Sequence, residues 1–195
     1  MRRCMNARHF GLLPVCLLLS LCLGGCAIVR PHMDSHQTTP IDWGLEGASG
    51  SAITVLPFVT HDQDPRWGIY AGQHMQEYLL AAKAFERVLF AEKEPVITQY
   101  VLKGEIEGLY YGGTFTPTSV QVTARVINRQ DGQTRYLSKL SAAAENRGLD
   151  LELMTRKYVS APYPEQVLNG ILKKLAYEIA ERTHEAAPGV QEPQQ

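Results

Sequence analysis

The sequence predicts one α+β domain, a two-layer sandwich in which a mostly antiparallel sheet packs against two helices in the order β-α-β-β-β-β-α. Three observations support this class. A β-branched apolar run followed by a helical pattern begins the domain, three alternating segments lie in its middle, and a long apolar helical stripe lies near its end. We expect the domain to cover residues 52–184, a usual size for a single folding unit.

The first predicted elements are a strand and a helix. Residues 53–59 are apolar and β-branched, which is typical of a strand buried on both faces. Pro57 cannot donate a ladder hydrogen bond, so the strand should end or meet an edge there. Asp64 and Pro65 are residue types that begin helices, and the apolar spacing after them predicts a helix over 66–82.

Four further strands are predicted, at residues 85–90, 100–111, 120–126 and 135–143. The last three alternate between apolar and polar residues, so we expect an antiparallel meander with one buried face. Gly104 and Gly108 inside the second of the four indicate bulges or the close approach of a helix.

The final predicted element is the most regular. A helix over residues 163–183 would carry one continuous apolar stripe, made of Val167, Leu168, Ile171, Leu172, Leu175, Ala176, Ile179 and Ala180. Such a stripe favours a helix that covers the open face of the sheet.

The amino terminus has the order of an export signal. Three arginines precede an apolar run of 14 residues, 10–23, whereas a membrane-spanning helix needs about 20. The run ends in Leu23-Gly24-Gly25-Cys26, which resembles the bacterial lipobox. We therefore predict a signal peptide at 1–25 and a lipidated Cys26; the alternative is an ordinary signal peptide with a chance cysteine.

Lipidation would anchor the mature chain permanently, because two or more acyl chains hold a protein firmly in a membrane. Ala27 stands where an aspartate would favour inner-membrane retention, so the outer membrane, on its periplasmic side, is expected. Residues 26–51 are rich in Pro, Gly, Ser and Thr and predict a flexible tether, and residues 185–195 predict a disordered tail.

Composition excludes several classes of function. Without residues 1–25 the chain keeps 16 basic and 20 acidic side chains, a net charge of about −4, so no nucleic-acid partner is expected. Cys26 is the only cysteine left, which excludes a disulfide framework.

No catalytic template is present, so we expect no enzyme, no cofactor and no metal. His32 and His36 have helical metal-ligand spacing but lie in the predicted tether. The segment His61-Asp62-Gln63-Asp64 could bind a cation, although a helix cap with solvated neighbours explains it as well.

Two segments are candidates for partner binding. Tyr110, Tyr111 and Phe115 surround a predicted hairpin turn, where exposed aromatic side chains often contact a partner; the alternative is that they close the end of the core. The predicted connection 147–164 is long and carries Tyr158 and Tyr163.

Several phrases resemble a known lipoprotein superfamily: Ile-Thr-Val-Leu-Pro-Phe at 53–58, Gly72 inside the first helix, Tyr-Val-Leu-Lys-Gly-Glu-Ile at 100–106, and Asp131-Gly132 after a strand. The superfamily includes the curli-secretion lipoprotein CsgG, the lipoprotein activators of penicillin-binding proteins and the amino-terminal domain of TolB. Auxiliary lipoproteins of ABC-type lipid transporters have a similar phrase. The resemblance implies a non-catalytic module that docks on envelope proteins or oligomerises.

The sequence thus predicts an anchored periplasmic lipoprotein that binds another envelope protein, or copies of itself, as an assembly factor. The alternative is an auxiliary lipoprotein of an envelope transporter that binds lipid or a small ligand, which would need an apolar cavity of about 300 Å³ or more between sheet and helices.

Overall fold

The computed structural model describes residues 30–93, 97–113, 116–150, 155–159 and 161–185. The predicted signal peptide, Cys26 and nearly all of the predicted tail lie outside these ranges. The elements are β1 (Arg30–Gln37), β2 (Ile41–Asp42), a 3₁₀ turn (Ala48–Gly50), β3 (Ala52–Val55), β4 (Val59–Thr60), α1 (Arg66–Ala81), β5 (Arg87–Phe90), β6 (Tyr100–Tyr110), β7 (Thr118–Asn128), β8 (Thr134–Asp150), β9 (Thr155–Val159) and α2 (Pro164–His184).

The described strands form one nine-stranded sheet with the order β1-β8-β7-β6-β3-β5, while β2 and β9 pair with β8 and β4 pairs with β6. The β6-β7-β8 meander is antiparallel, as predicted. β3 runs parallel to both β5 and β6. The pair β3 and β5 is parallel because α1 returns the chain across the sheet between them. The sheet is therefore mixed, with its parallel part at one edge.

Both helices pack on one face of the sheet, which confirms the predicted α+β sandwich. The apolar stripe of α2, including Ile171, Leu175 and Ile179, is fully buried. It faces sheet residues such as Val122 and Leu140, which are also fully buried. No described helix or strand lies on the opposite face, which we call the outer face. Thr54 and Val101 on this face are nevertheless buried, and Thr98 is hydrogen-bonded to Thr54 there.

α1 begins and packs as the sequence indicates. The Asp64 carboxylate accepts a hydrogen bond from the backbone N–H of Arg66 at 2.9 Å and so caps the helix. A Cβ atom on Gly68 would lie 2.0 Å from the carbonyl oxygen of Phe58, so only glycine lets the helix approach this closely. Phe58 N–H also donates to the Gly68 carbonyl at 3.0 Å. The first predicted strand is thus interrupted around Pro57, and α1 packs against the backbone at this interruption.

The predicted tether is wrong from Arg30 onward. Residues 30–37 form β1, which pairs antiparallel with β8 along its whole length. Leu45 and Ala48 are buried in the main core, at 0% and 3% exposure. The polar composition of this segment reflects an edge strand, of which one side faces water, and the folded domain therefore begins about twenty residues earlier than residue 52.

The last predicted strand is also too short. β8 continues from residue 143 to Asp150 and pairs with β9, so the predicted long connection 147–164 is mostly a hairpin. The alternation of apolar and polar residues along β8 ends at a polar run that starts with Glu145. At this point β8 extends past β7, because the pairing of β7 with β8 stops at Ala144. Beyond Ala144 β8 no longer pairs with β7, so the alternating pattern of the meander need not continue there.

The two strand glycines have different roles. The β6–β7 register shifts between Ile106 and Gly108, so Gly108 marks a bulge. Gly104 is in regular register, but a Cβ atom there would lie 2.3 Å from the Phe58 ring. The close approach is made by a phenylalanine and not by a helix.

Candidate protein-binding surface

The turn between β6 and β7 is held by its own hydrogen bonds. The N–H of Gly112 donates to Thr118 Oγ1 at 3.0 Å, and the N–H of Gly113 donates to the Thr116 carbonyl at 3.0 Å. A Cβ atom on Gly112 would lie 2.2 Å from the Thr116 carbonyl oxygen, so this tight turn requires glycine.

This turn is joined to the segment that leads into α2. The fully buried Thr118 donates from Oγ1 to the Pro162 carbonyl at 2.6 Å. Ala161 N–H donates to the Gly113 carbonyl at 3.3 Å. Two segments far apart in sequence therefore form one platform at the end of the sheet.

Three exposed tyrosines lie on this platform, and we call them the tyrosine patch: Tyr110, Tyr111 and Tyr163. The rings of Tyr111 and Tyr163 stack, with centroids 5.7 Å apart and planes 10° apart. Their exposed fractions are 57%, 49% and 63% in sequence order. Tyrosines fixed in this way can bury much area against a partner at small entropic cost.

The two candidate segments are thus brought together. The exposure of Tyr110 and Tyr111 is against the alternative that they close the core. Phe115 lies outside the described residues. Tyr158 lies on β9 opposite Arg147, and its side chain is outside the described part. The pairing of Tyr111 with Tyr163 depends on the contact between turn and helix segment, which no sequence pattern indicates.

The outer face beside the tyrosine patch carries polar side chains that are hydrogen-bonded to one another. Glu107 accepts hydrogen bonds from Lys139 Nζ, Thr123 Oγ1 and Gln121 Nε2 across three strands. These donors, led by Lys139, hold the pKa of Glu107 below its usual value. A surface hollow of about 330 Å³ lies between this network and Tyr110, with His36 and Ser141 on its wall.

The histidines and acidic residues considered as metal ligands in the sequence analysis have different surroundings in the structure. His36 lies on strand β1 and not on a helix. His61 is hydrogen-bonded to Glu105, which raises the pKa of its imidazole. The carboxylate of Asp64 is taken by Arg66. Within the described ranges, no three His, Cys, Asp or Glu side chains come together as metal ligands would.

Neither helix among the described residues combines the length and the apolar character that crossing a bilayer requires.

No protein-family model and no curated protein matches this sequence. Among solved structures, the PelC dodecamer of Paraburkholderia phytofirmans superposes with a TM-score of 0.55. The match covers 79% of this chain and 100% of that one at 17–18% identity. At this identity the likeness shows a common fold.

Two looser matches are protein XCC0632 of Xanthomonas campestris and lipoprotein GNA1162 of Neisseria meningitidis. XCC0632 has a TM-score of 0.48 at 8% identity, over 70% of this chain and 87% of that one. GNA1162 has a TM-score of 0.36 at 15% identity, over 67% of this chain and 99% of that one. Neither overlay is close enough to carry an argument. None of these structures is CsgG, a penicillin-binding-protein activator or TolB, so that resemblance stays a prediction.

Proposed function

We propose that this protein is a lipid-anchored, non-catalytic assembly factor of the bacterial cell envelope, which contacts an envelope protein through the tyrosine patch. The observation that carries the proposal is the stack of Tyr111 on Tyr163, two exposed rings fixed on a hydrogen-bonded platform. A rigid aromatic pair open to solvent is typical of the centre of a protein interface.

The anchor that we propose at Cys26 would lie at the same end of the molecule as the patch. Arg30 begins β1 only four positions after Cys26, so the start of the sheet is within roughly 14 Å of the lipidated residue. Arg30 pairs with Arg147 on β8. Ala144, three residues earlier on β8, pairs with Thr118, which lies beside the patch. A partner of the patch would therefore lie at the membrane surface. Ala27 after the cysteine favours the outer membrane.

We further propose that the chain associates with copies of itself. The support is the common fold with PelC, which is described as a dodecamer.

The alternative of a ligand-binding lipoprotein receives less support. The side chains between sheet and helices, such as Leu102 and Leu172, are fully buried against one another. Hollows of about 310, 330 and 230 Å³ lie beside Trp67, Tyr110 and Met33, and each is an open groove at the surface. A lipid carrier needs an apolar cavity inside the fold.

Site-specific photocrosslinking in intact cells tests the patch. A photoreactive residue at position 111 should give a discrete adduct with an envelope protein, and Tyr163→Ala should remove that adduct by releasing the stacked ring. The control position is 177, an equally exposed tyrosine on α2 away from the patch. Equal adducts at 111 and 177, or an adduct that survives Tyr163→Ala, would count against the proposal.

The anchor is tested separately. Mass spectrometry of the native protein should find a mature chain that begins at Cys26 and carries acyl groups. Cys26→Ser should release the domain from membranes. An unmodified thiol, or residues 1–25 still attached, would contradict the anchor without touching the patch.

A further inference from the structure

An open hollow of about 310 Å³ lies at the surface where the starts of the two helices come together. Its wall is formed by residues of the first turns of both helices and of the segment before α1: Asp64, Arg66, Trp67, Tyr70 and Glu165. None of these residues belongs to the tyrosine patch. The wall thus combines aromatic rings with charged side chains, which is the composition of a site for a charged ligand.

The rings of Trp67 and Tyr70 form a corner in this wall. Their centroids are 5.8 Å apart and their planes meet at 79°. Asn169 on α2 donates from Nδ2 to the Tyr70 hydroxyl at 2.8 Å and so holds the ring in place. Aromatic rings attract a cation to their negatively polarised faces, and sites that bind ammonium groups are lined by several rings at different angles. The corner therefore favours a cationic ligand.

The hollow also carries one negative charge that no described residue neutralises. The carboxylate of Asp64 is paired, because Arg66 donates to Oδ2 from Nε at 2.8 Å and from Nη2 at 2.6 Å. Glu165 lines the same hollow, yet its Oε2 is shielded from solvent and accepts no hydrogen bond within the described ranges. A shielded carboxylate oxygen without a donor costs free energy, which a ligand with N–H groups would recover.

A second acceptor lies on the same side of α2. Asn169 follows Glu165 by four positions, so the two side chains share one helix face. Among the described residues nothing donates to Asn169 Oδ1, which is also shielded from solvent. A primary ammonium group has three N–H donors and a compact positive charge, whereas a quaternary ammonium group has no N–H to donate. The unpaired acceptors therefore favour a primary ammonium group.

We propose that this hollow binds a primary ammonium group, packed against the rings of Trp67 and Tyr70 and donating to the Glu165 carboxylate. A free alkylamine and a lysine side chain of another protein both carry this group. The proposal goes beyond the protein-binding role of the tyrosine patch and depends neither on that patch nor on the lipid at Cys26.

Tryptophan fluorescence of the full-length chain, purified from membranes in detergent, measures binding. The sequence has two tryptophans, so in a Trp43→Phe background Trp67 is the single reporter. Titration at constant ionic strength with n-butylammonium should give a saturable change in its emission. Tetramethylammonium should bind about tenfold more weakly because it has no N–H donor, and n-butanol, which has no charge, should give no saturable change.

Two pairs of variants locate the ligand. Glu165→Gln should weaken n-butylammonium binding by about tenfold, because a charge-assisted hydrogen bond is lost. Glu181→Gln is the matched control, since it removes the same charge from an exposed position near the other end of α2. Tyr70→Leu should weaken binding as well, whereas Tyr70→Phe keeps the ring and should bind within about twofold of the unmodified chain. Circular dichroism confirms that each variant is folded.

Nα-acetyl-lysine amide distinguishes the two sources of the ammonium group. Tighter binding of this compound than of n-butylammonium would assign the site to a lysine side chain, and the reverse order would assign it to a free amine. Three results overturn the proposal: no saturation by either compound up to about 100 mM, equal binding of n-butanol, or equal effects of Glu165→Gln and Glu181→Gln. None of these results bears on the tyrosine patch, which is tested by crosslinking at position 111.

Discussion

Gln37 on the first strand donates a hydrogen bond from Nε2 to Glu178 Oε2 on the last helix, at 2.5 Å. The same amide donates to Ser138 Oγ at 3.1 Å. These bonds fasten the carboxyl-terminal end of β1 to the body of the domain. The segment predicted as a tether is therefore a structural part of the sandwich from Arg30 onward.

Removing the hydrogen bond between Gln37 and Glu178 should destabilise the folded domain. We expect Gln37→Ala to lower the free energy of unfolding by about 1–2 kcal/mol, because a part-buried hydrogen bond to a carboxylate is lost. Urea denaturation of the soluble Cys26→Ser chain measures this. Gln73→Ala, on the exposed side of α1, should change little. Equal effects of the two substitutions would show that β1 is not held by this contact.

Leu45 provides a direct test of where the domain begins. Its side chain has 0% exposure, so Leu45→Ala should cost about 2–5 kcal/mol of unfolding free energy. Leu80→Ala makes the same change at a residue with 47% exposure and should cost less than about 0.5 kcal/mol. If the Leu45→Ala chain were as stable as the Leu80→Ala chain, residues up to 51 would indeed be a tether.

Gly104 should be intolerant of a side chain, because the Phe58 ring occupies the space that a Cβ atom would need, at 2.3–2.4 Å. Thermal or urea denaturation should show Gly104→Ala to be less stable by about 1–3 kcal/mol. Gly108→Ala is the control in the same strand, where the nearest atom is 4.0 Å away.

Replacing Phe58 by leucine in the Gly104→Ala background should recover part of the lost stability, since a smaller side chain makes room for the methyl group. Independent, additive effects of the two substitutions would mean that the contact is not the cause.

Glu107 should make the fold sensitive to acid. Its pKa is below the ordinary value of 4.5, chiefly because Lys139 and Thr123 donate to its carboxylate. A lowered folded-state pKa stabilises the protein above the unfolded-state value, and this contribution is lost as the pH falls through the folded-state pKa. Unfolding free energy measured from about pH 6 to about pH 3 should therefore decline less steeply for Glu107→Gln than for the unmodified chain. An unchanged slope would contradict the role of the network.

Local sequence patterns were sufficient for elements whose burial is regular. The apolar spacing of Leu168, Ile171 and Leu175 predicts α2 almost to the residue, because one helical stripe faces one core. Val120 and Val122 on β7 behave in the same way with the period of a strand. The fold class and the meander follow from these patterns.

Edge elements gave no such pattern. β1 reads Arg-Pro-His-Met-Asp-Ser-His-Gln, a polar run with a proline. Its pairing with β8 satisfies the backbone, while the side chains of residues 33–36 are exposed. The extension of β8 to Asp150 was also missed, since it pairs with β9 and no longer with β7, a contact that the local pattern does not indicate.

The sequence by itself determined the class of fold, the two helices, the meander, the predicted lipobox at Cys26 and two aromatic segments. Only the tertiary structure decided that the segment after Cys26 belongs to the sheet and that Tyr111 stacks on Tyr163. The physical reason is that the spacing of apolar residues reports which face of a helix or strand is buried. Edge pairing and contacts between distant segments depend instead on partners elsewhere in the chain. In the same way, no local sequence pattern predicts that the Thr118 hydroxyl joins the β6–β7 turn to Pro162.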